Sequence, residues 1–473
     1  MLWLLGALSA AVYYVAYTRR FPLADHYDRL SDLGALGGTD ALAAAKYLGP
    51  IALLFVFYAA ALWWARRVRG WRGLLPVYAG AIAFAAIAAF EFPVTAIDLF
   101  VYLVNGRQWT LHGTNPLVAA PDTVPDDPFL GLAGQYAHVP SPYGPVWVVI
   151  VGLPTLLFGD RLFAGLMTLK AIAASAYLGC AVVLSWTLAR HRPTDVVAGT
   201  LFFAWNPLVV LDGVANGHND AAMMLPALVG LALALRGRDV PGLAFLALSA
   251  GVKYSSALLI PVVVLHHARR WPDWQNRLRH AAAAAIVTVG AFLICYAPFW
   301  AGPATFAGLL KRNDVQLGSV AALANYLRRE YVPAVPPEDV AYGFALGFFV
   351  YYGWKLWRVW RHERDWPVVG HAVLFGSMFA PVWFNSWFVI WPLALAALGG
   401  CGRDRVRSGV LSLTSLLGAF FFTFSPVWNT MGWDTPHVHV LAAPFIFGPP
   451  LVASLRWPGT RSAELLRVSH ASS

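Results

Sequence analysis

Charge is what this chain is short of. Acidic and basic side chains make up 12% of its 473 residues, against roughly 25% in an ordinary soluble domain. A water-soluble fold of this size is thereby excluded. Cysteine is scarce too: Cys180, Cys295 and Cys401 lie in or beside apolar runs, show no metal-ligand spacing, and read as inert core thiols. The sequence has no Walker motif, no dinucleotide glycine fingerprint, no nucleophile elbow and no paired histidines at zinc spacing. Serine, cysteine and metal chemistry are left with thin support. An internal repeat is also missing, and with it the signature of many secondary transporters.

What is abundant is apolar sequence, at 59% of residues. Stretches long enough to cross a hydrocarbon core, which takes ~20 helical residues, recur from residue 2 to residue 453. Inside lipid the backbone must satisfy its own hydrogen bonds, so such spans are helices. The runs 51–64 and 281–297 are apolar on every face, unlike the alternating segments of about 10 residues that a β-barrel requires. The predicted fold is all-α, a polytopic transmembrane helical bundle forming one integral membrane domain over 1–473. Candidate spans fall near 2–18, 47–65, 73–92, 145–158, 162–189, 195–211, 220–235, 240–267, 281–299, 340–360, 367–383, 386–400, 408–425 and 437–455. That predicts 12 to 14 crossings, some re-entrant or broken. The first apolar run is followed by Arg19 and Arg20 without a small-residue cleavage pattern, and reads as a retained span.

The formal net charge is +10. Its cations sit in short loops, which points to a positive-inside membrane topology and away from nucleic acid. Arg66, Arg67, Arg69 and Arg72, then Arg269, Arg270, Arg277 and Arg279, then Arg358, Arg361 and Arg364, and finally Arg403, Arg405 and Arg407 are expected in the cytoplasm. The loop 93–143 carries Arg107 against Asp98, Asp122, Asp126 and Asp127, and is expected on the outer face. A second outer loop is expected at 301–339. Strict alternation would put Arg190, Arg192, Arg236 and Arg238 outside. The conflict vanishes if one of 145–158 and 162–189, and the helix around Lys253, are re-entrant or broken, which brings 216–220 to the outer side with Asp98.

Four features are candidates for chemistry. Asp98 follows directly on an apolar run. It is either a helix cap or a general base at the edge of the low-dielectric layer. Asn216, Gly217, His218, Asn219 and Asp220 interrupt apolar sequence; a polar turn is one reading, a site at membrane depth the other. Lys253 lies in an apolar stretch without an acidic neighbour in that stretch, so it either snorkels or meets an anion such as a lipid phosphate. Trp383, Asn385, Trp387, Phe388 and Trp391 are an interfacial belt or a surface on which a sugar stacks.

The ordered set Asp98-x3-Tyr102, Gly113-x-Asn115-Pro116, Pro142-Tyr143-Gly144-Pro145-x-Trp147, Gly217-His218-Asn219-Asp220, Val252-Lys253-Tyr254 and Trp387-x3-Trp391-Pro392 resembles bacterial polyprenol-phosphomannose-dependent mannosyltransferases of the GT-C superfamily. Leu117 departs from the aromatic more usual after the Gly-x-Asn-Pro element. The resemblance implies inverting transfer from a polyprenyl-phosphate sugar, mannose first, to a glycan or lipid-linked acceptor hydroxyl on the outer face of the cell (inner) membrane. It implies Asp98 as base. Lys253 and Arg107 are expected at the donor phosphate, and Tyr102, Asn115, Tyr143, His218, Asn219, Asp220, Tyr254 and Trp387 at the substrates. No cofactor is required by this reading, and a divalent metal at His218 and Asp220 stays open. The implied partners are membrane lipids, the donor and the acceptor. The competing reading is a transporter or flippase of lipid-linked sugars.

Overall fold

The computed structural model describes residues 1–310, 318–361, 366–399 and 402–456. Arg364, Cys401, the stretch 311–317 of the second outer loop and the tail from 457 lie outside the described residues. Among the described residues all regular structure is helical, with two isolated bridges and no strand. The all-α class expected from the sequence is observed.

The helices that matter for the site are α1 (Asp98–Thr110), α2 (Pro145–Phe158), α3 (Leu162–His191), α4 (Val196–Ala204), α5 (Asp220–Leu235), α6 (Asp239–Val252), α7 (Leu259–Ala268) and α8 (Ile390–Gly399). Four stretches are long and apolar enough to cross a membrane: Ala41–Ala65, Trp71–Ala89, Leu162–His191 and Trp274–Phe299. Pro193–Ala204 and Pro207–Ala215, bent by 52°, make a fifth if they count as one broken span. Length supports fewer crossings than the 12 to 14 expected, because prolines and polar residues break several apolar runs. α2, with 14 residues, rises only about 21 Å, short of the ~30 Å core.

α1 and α2 run parallel. Tyr143 meets Asp98 across 45 positions of sequence. The same offset pairs Tyr102 with Trp147, at 4.9 Å between ring centroids. One step further along, Gly106 faces Val151, where a Cβ would lie 1.9 Å from the carbonyl oxygen. Only glycine allows that approach. The connector must therefore travel back along the pair, and it delivers Asp127 to Arg107 on the way.

Several helices join two ends of the bundle. α5 leaves the Asp98 end and finishes beside Arg236, which stacks over Trp186 at 3.1 Å. α6 returns to Lys253, and α7 leads away again. The chain after α8 reaches Arg405, whose guanidinium forks onto Asp195 beside the start of α4. Arginines of separate loops are thus collected at the end opposite Asp98.

Candidate active site

The site is built where helices break. Asp98 is the first residue of α1, with Ile97 as its N-cap, so the carboxylate sits at the positive end of the helix dipole. A second break follows Pro207–Val210, where five residues, Leu211–Ala215, form a π-turn. Such turns leave carbonyls without helical partners. Lys170 of α3, fully buried, fills that gap: its ammonium donates to the carbonyls of Val214 and Ala215 and, at 2.8 Å, to that of Glu91. Gly217 then takes φ +71°, with Leu99 2.7 Å from where a Cβ would be. Both facts demand glycine, and they turn His218, Asn219 and Asp220 toward Asp98.

The third break is Lys253, extended at φ −151°, ψ 127° between α6 and a 3-10 turn, Tyr254–Leu258. Gly144 holds this strand-like residue against the Tyr143 loop. Its amide donates to Val252 at 3.1 Å, and a Cβ there would lie 2.1 Å from the Gly251 carbonyl. The fourth is the 3-10 turn Ser386–Val389, which introduces α8.

The first, third and fourth breaks meet at one pocket of about 280 Å³, lined among others by Asp98, Tyr143, Lys253, Tyr254, Trp387 and Trp391, while Tyr102 and, from the second break, His218, Asn219 and Asp220 are buried behind that lining. The Tyr143 hydroxyl donates to Asp98 Oδ1 at 2.9 Å. In turn, the buried Tyr102 hydroxyl donates to that of Tyr143 at 3.3 Å. His218 Nδ1 stands 4.0 Å from Asp98 Oδ1, and its ring stacks on Trp387 at 3.7 Å and 21°.

Lys253 is not the lone cation its apolar stretch suggested. Its ammonium donates to Asp220 Oδ1 at 2.8 Å, and the Trp391 indole donates to the same oxygen. The partner comes from another helix, so no window around Lys253 could contain it. Lys253 also faces the rings of Phe388 and Trp391 at 4.9 and 5.3 Å, a cation–π setting that favours a charged amine. An ammonium has three donors, which leaves capacity for a phosphate oxygen.

Polar atoms are left without partners here. Both ring nitrogens of His218, both amide atoms of Asn219 and Asp220 Oδ2 are buried and make no hydrogen bond. Each such group costs about 1–3 kcal/mol to bury unpaired. Three consecutive residues with that cost stand directly behind the pocket wall, where His218 backs Trp387 and Asp220 holds Lys253 and Trp391.

Two expected site residues lie elsewhere. Arg107 is 2% exposed and its fork is occupied: Nε donates to Asp127 at 3.0 and 2.9 Å, and Nη1 to Asp160 at 2.7 Å. It does not line the pocket. Asn115 donates to the Phe299 carbonyl and accepts from the Leu117 amide, fixing the loop. Burial of Asp127 opposes its ionisation, but the Phe129 amide, His112 and Arg107 outweigh that and hold it below the usual carboxylate range.

The sequence reading missed Lys170 and Asp212. Both are ionisable residues inside apolar runs, the signal that singled out Lys253. Among the described residues no three His, Cys, Asp or Glu side chains converge as metal ligands.

A family model described as "Alpha-(1->6)-mannopyranosyltransferase, N-terminal domain" matches residues 3–269. An alpha-(1->6)-mannopyranosyltransferase A of Mycobacterium tuberculosis is 26% identical over 334 residues, 64% of this chain and 61% of that protein. In Corynebacterium glutamicum, an alpha-(1->6)-mannopyranosyltransferase A is 27% identical over 184 residues, 38% of this chain and 36% of its own. The B enzyme of that organism is 29% identical over 182 residues, 36% of this chain and 29% of its own. The chain therefore spans less than two thirds of each relative's length. The matched stretch runs through Asp98, Tyr143, His218, Asp220 and Lys253 and covers more than half of the sequence, so the chain belongs to the alpha-(1->6)-mannopyranosyltransferase family.

Proposed function

We propose that this chain transfers a mannosyl group from a polyprenyl-phosphate carrier to a hydroxyl of a glycan or lipid-linked acceptor, with inversion, on the outer face of the cell membrane. The observation that carries the reading is Asp98 held by Tyr143 on the same pocket as Lys253. A carboxylate and an ammonium facing one cavity suit a reaction that takes a proton at one point and releases a phosphate at another.

The acceptor hydroxyl gives its proton to Asp98 while its oxygen attacks the anomeric carbon. The C1–O bond to the lipid phosphate breaks, and the phosphate leaves with both bonding electrons. Lys253 donates to that leaving oxygen in a water-poor site, where such a contact stabilises developing charge. Asp220, at the N-terminus of α5 and bonded to Lys253 and Trp391, orients the ammonium. Trp387, backed by the stacked His218, supplies a flat wall for the sugar.

The test is incubation of the purified protein in lipid nanodiscs with radiolabelled polyprenyl-phosphate mannose and a mannoside acceptor. Release of lipid phosphate with label on the acceptor is expected. Movement of label across the bilayer with the sugar–phosphate bond intact would make the protein a flippase and end this reading. Sidedness follows separately: a single cysteine at 98 should react from the outside and cysteines at 67 and 405 from the cytoplasm.

A further inference from the structure

Behind Trp387 lies a second cavity of about 160 Å³, lined among others by Thr95, Asp212, Asn385, Ser386, Trp387 and Ser415. Asn385 and Trp387 belong to the lining of both cavities, so the indole acts as a partition between them. The volume equals about five waters at liquid density. It is too small for a prenyl chain and fits one monosaccharide ring.

Its polar groups are buried and incompletely used. Asp212 is 2% exposed; Oδ1 accepts from Asn216 at 2.9 Å, and Oδ2 has no partner. Ser415 is 6% exposed and its hydroxyl is without a partner. A free carboxylate oxygen and a free hydroxyl are complementary to the hydroxyls of a sugar. Leu416, Phe422 and Ile446 on the same wall suit the C–H face of a pyranose. The cavity is also tied to the proposed base: Asn216 bridges Asp212 and, at 2.7 Å, Thr95, three residues before Asp98.

We infer that this cavity is the subsite for the acceptor pyranose next to the one that reacts, with Asp212 and Ser415 hydrogen-bonded to its hydroxyls and Trp387 separating it from the donor sugar. The inference rests on the glycosyl-transfer reading. It assigns to the acceptor a set of residues disjoint from Lys253, and leaves Asp98 beyond the indole partition to receive the reacting hydroxyl.

The experiment measures KM for donor and acceptor separately, with a free mannobiose and with its octyl glycoside, the better of which shows whether a soluble or a lipid-linked glycan is preferred. Asp212→Asn is expected to raise the acceptor KM about tenfold, the size expected for a lost hydrogen bond to a charged group, and to leave the donor KM unchanged within error, with both acceptors. Ala419→Phe fills the same cavity without removing a polar group and should do the same, which keeps the test sound if Asp212→Asn folds poorly. An unchanged acceptor KM in Ala419→Phe, or a donor KM that rises instead, overturns the subsite. Saturation-transfer NMR with mannobiose separates this failure from that of the transfer reading: binding by the parent that Ala419→Phe abolishes supports the subsite even without turnover. Binding that persists in the variant, or is missing in the parent, refutes it.

Discussion

The two ends of α1 hold the same kinds of side chain in opposite states. At its start, Asp98 faces a pocket beside histidine and asparagine groups whose buried polar atoms have no partners. Toward its end, Arg107 is bonded to two carboxylates, and Asp127 to an arginine, a histidine and a backbone amide. Rarity in an apolar chain selected both ends equally. What separates them is whether the protein itself has consumed the hydrogen-bonding capacity. A saturated cluster stabilises a loop, and an unsaturated one is available to a ligand.

The sharpest way to break this contrast is Asp98→Asn, which keeps shape and removes the base. Turnover should fall by a factor of roughly 10² to 10⁴, with little change in donor affinity, in a single-turnover assay of labelled donor. Near-parental turnover in a folded preparation would move the base elsewhere, with Asp220 first in line.

Lys253→Met comes next. It leaves Asp220 buried with only Trp391 and should destabilise the protein by about 3–5 kcal/mol, read as a lower midpoint of thermal unfolding in detergent. The double variant Lys253→Met/Asp220→Asn should recover much of that stability and none of the donor affinity. Recovery of both would reduce Lys253 to a structural partner.

A smaller effect is expected of Tyr143→Phe, which deletes the hydroxyl bonded to Asp98. Turnover should drop about tenfold or less, the size of one hydrogen bond to a charged group, without loss of donor binding. A drop as large as that of Asp98→Asn would give Tyr143 a direct role in proton transfer.

The least effect on chemistry belongs to Arg107→Met, with turnover within about threefold, less than about 1 kcal/mol in the barrier, because Arg107 does not line the pocket; its consequence is for the loop 111–144. Asp127 is held below its ordinary value, so the clamp is at full strength above the usual aspartate pKa of about 3.9 and is lost as pH falls through the lower folded value. Limited proteolysis should leave the parent loop intact from neutral pH to about 4 and cut it below that, whereas the variant should be cut at neutral pH. Equal resistance of the two proteins would deny the clamp its role.

Much of this was legible in the sequence. Helix positions followed from apolar runs: 145–158 and 220–235 coincide with α2 and α5, and the break expected near Lys253 falls on that residue. Gly217 and Gly144 could be read as punctuation, but the contacts that require them, to Leu99 and Gly251, are tertiary. The pairing of Lys253 with Asp220 spans two helices, and Arg107 meets its carboxylates through loops. Composition measures how unusual a charge is. It carries no information on which other charge the fold brings to it.

The parallel arrangement of α1 and α2 sets an order of assembly. An antiparallel hairpin zips outward from its turn, each contact shortening the search for the next. Here the intervening segment has to double back before residue 143 reaches residue 98, so the first contact already closes a loop of 45 positions, with the entropy cost that implies. His218, Lys253 and Trp387 arrive later in synthesis still. A ribosome-bound fragment that ends before the turn Ser386–Val389 lacks the ring that stacks on His218 and the indole that bonds Asp220. The pocket lining is therefore completed late in synthesis, when nearly four hundred residues have left the exit tunnel.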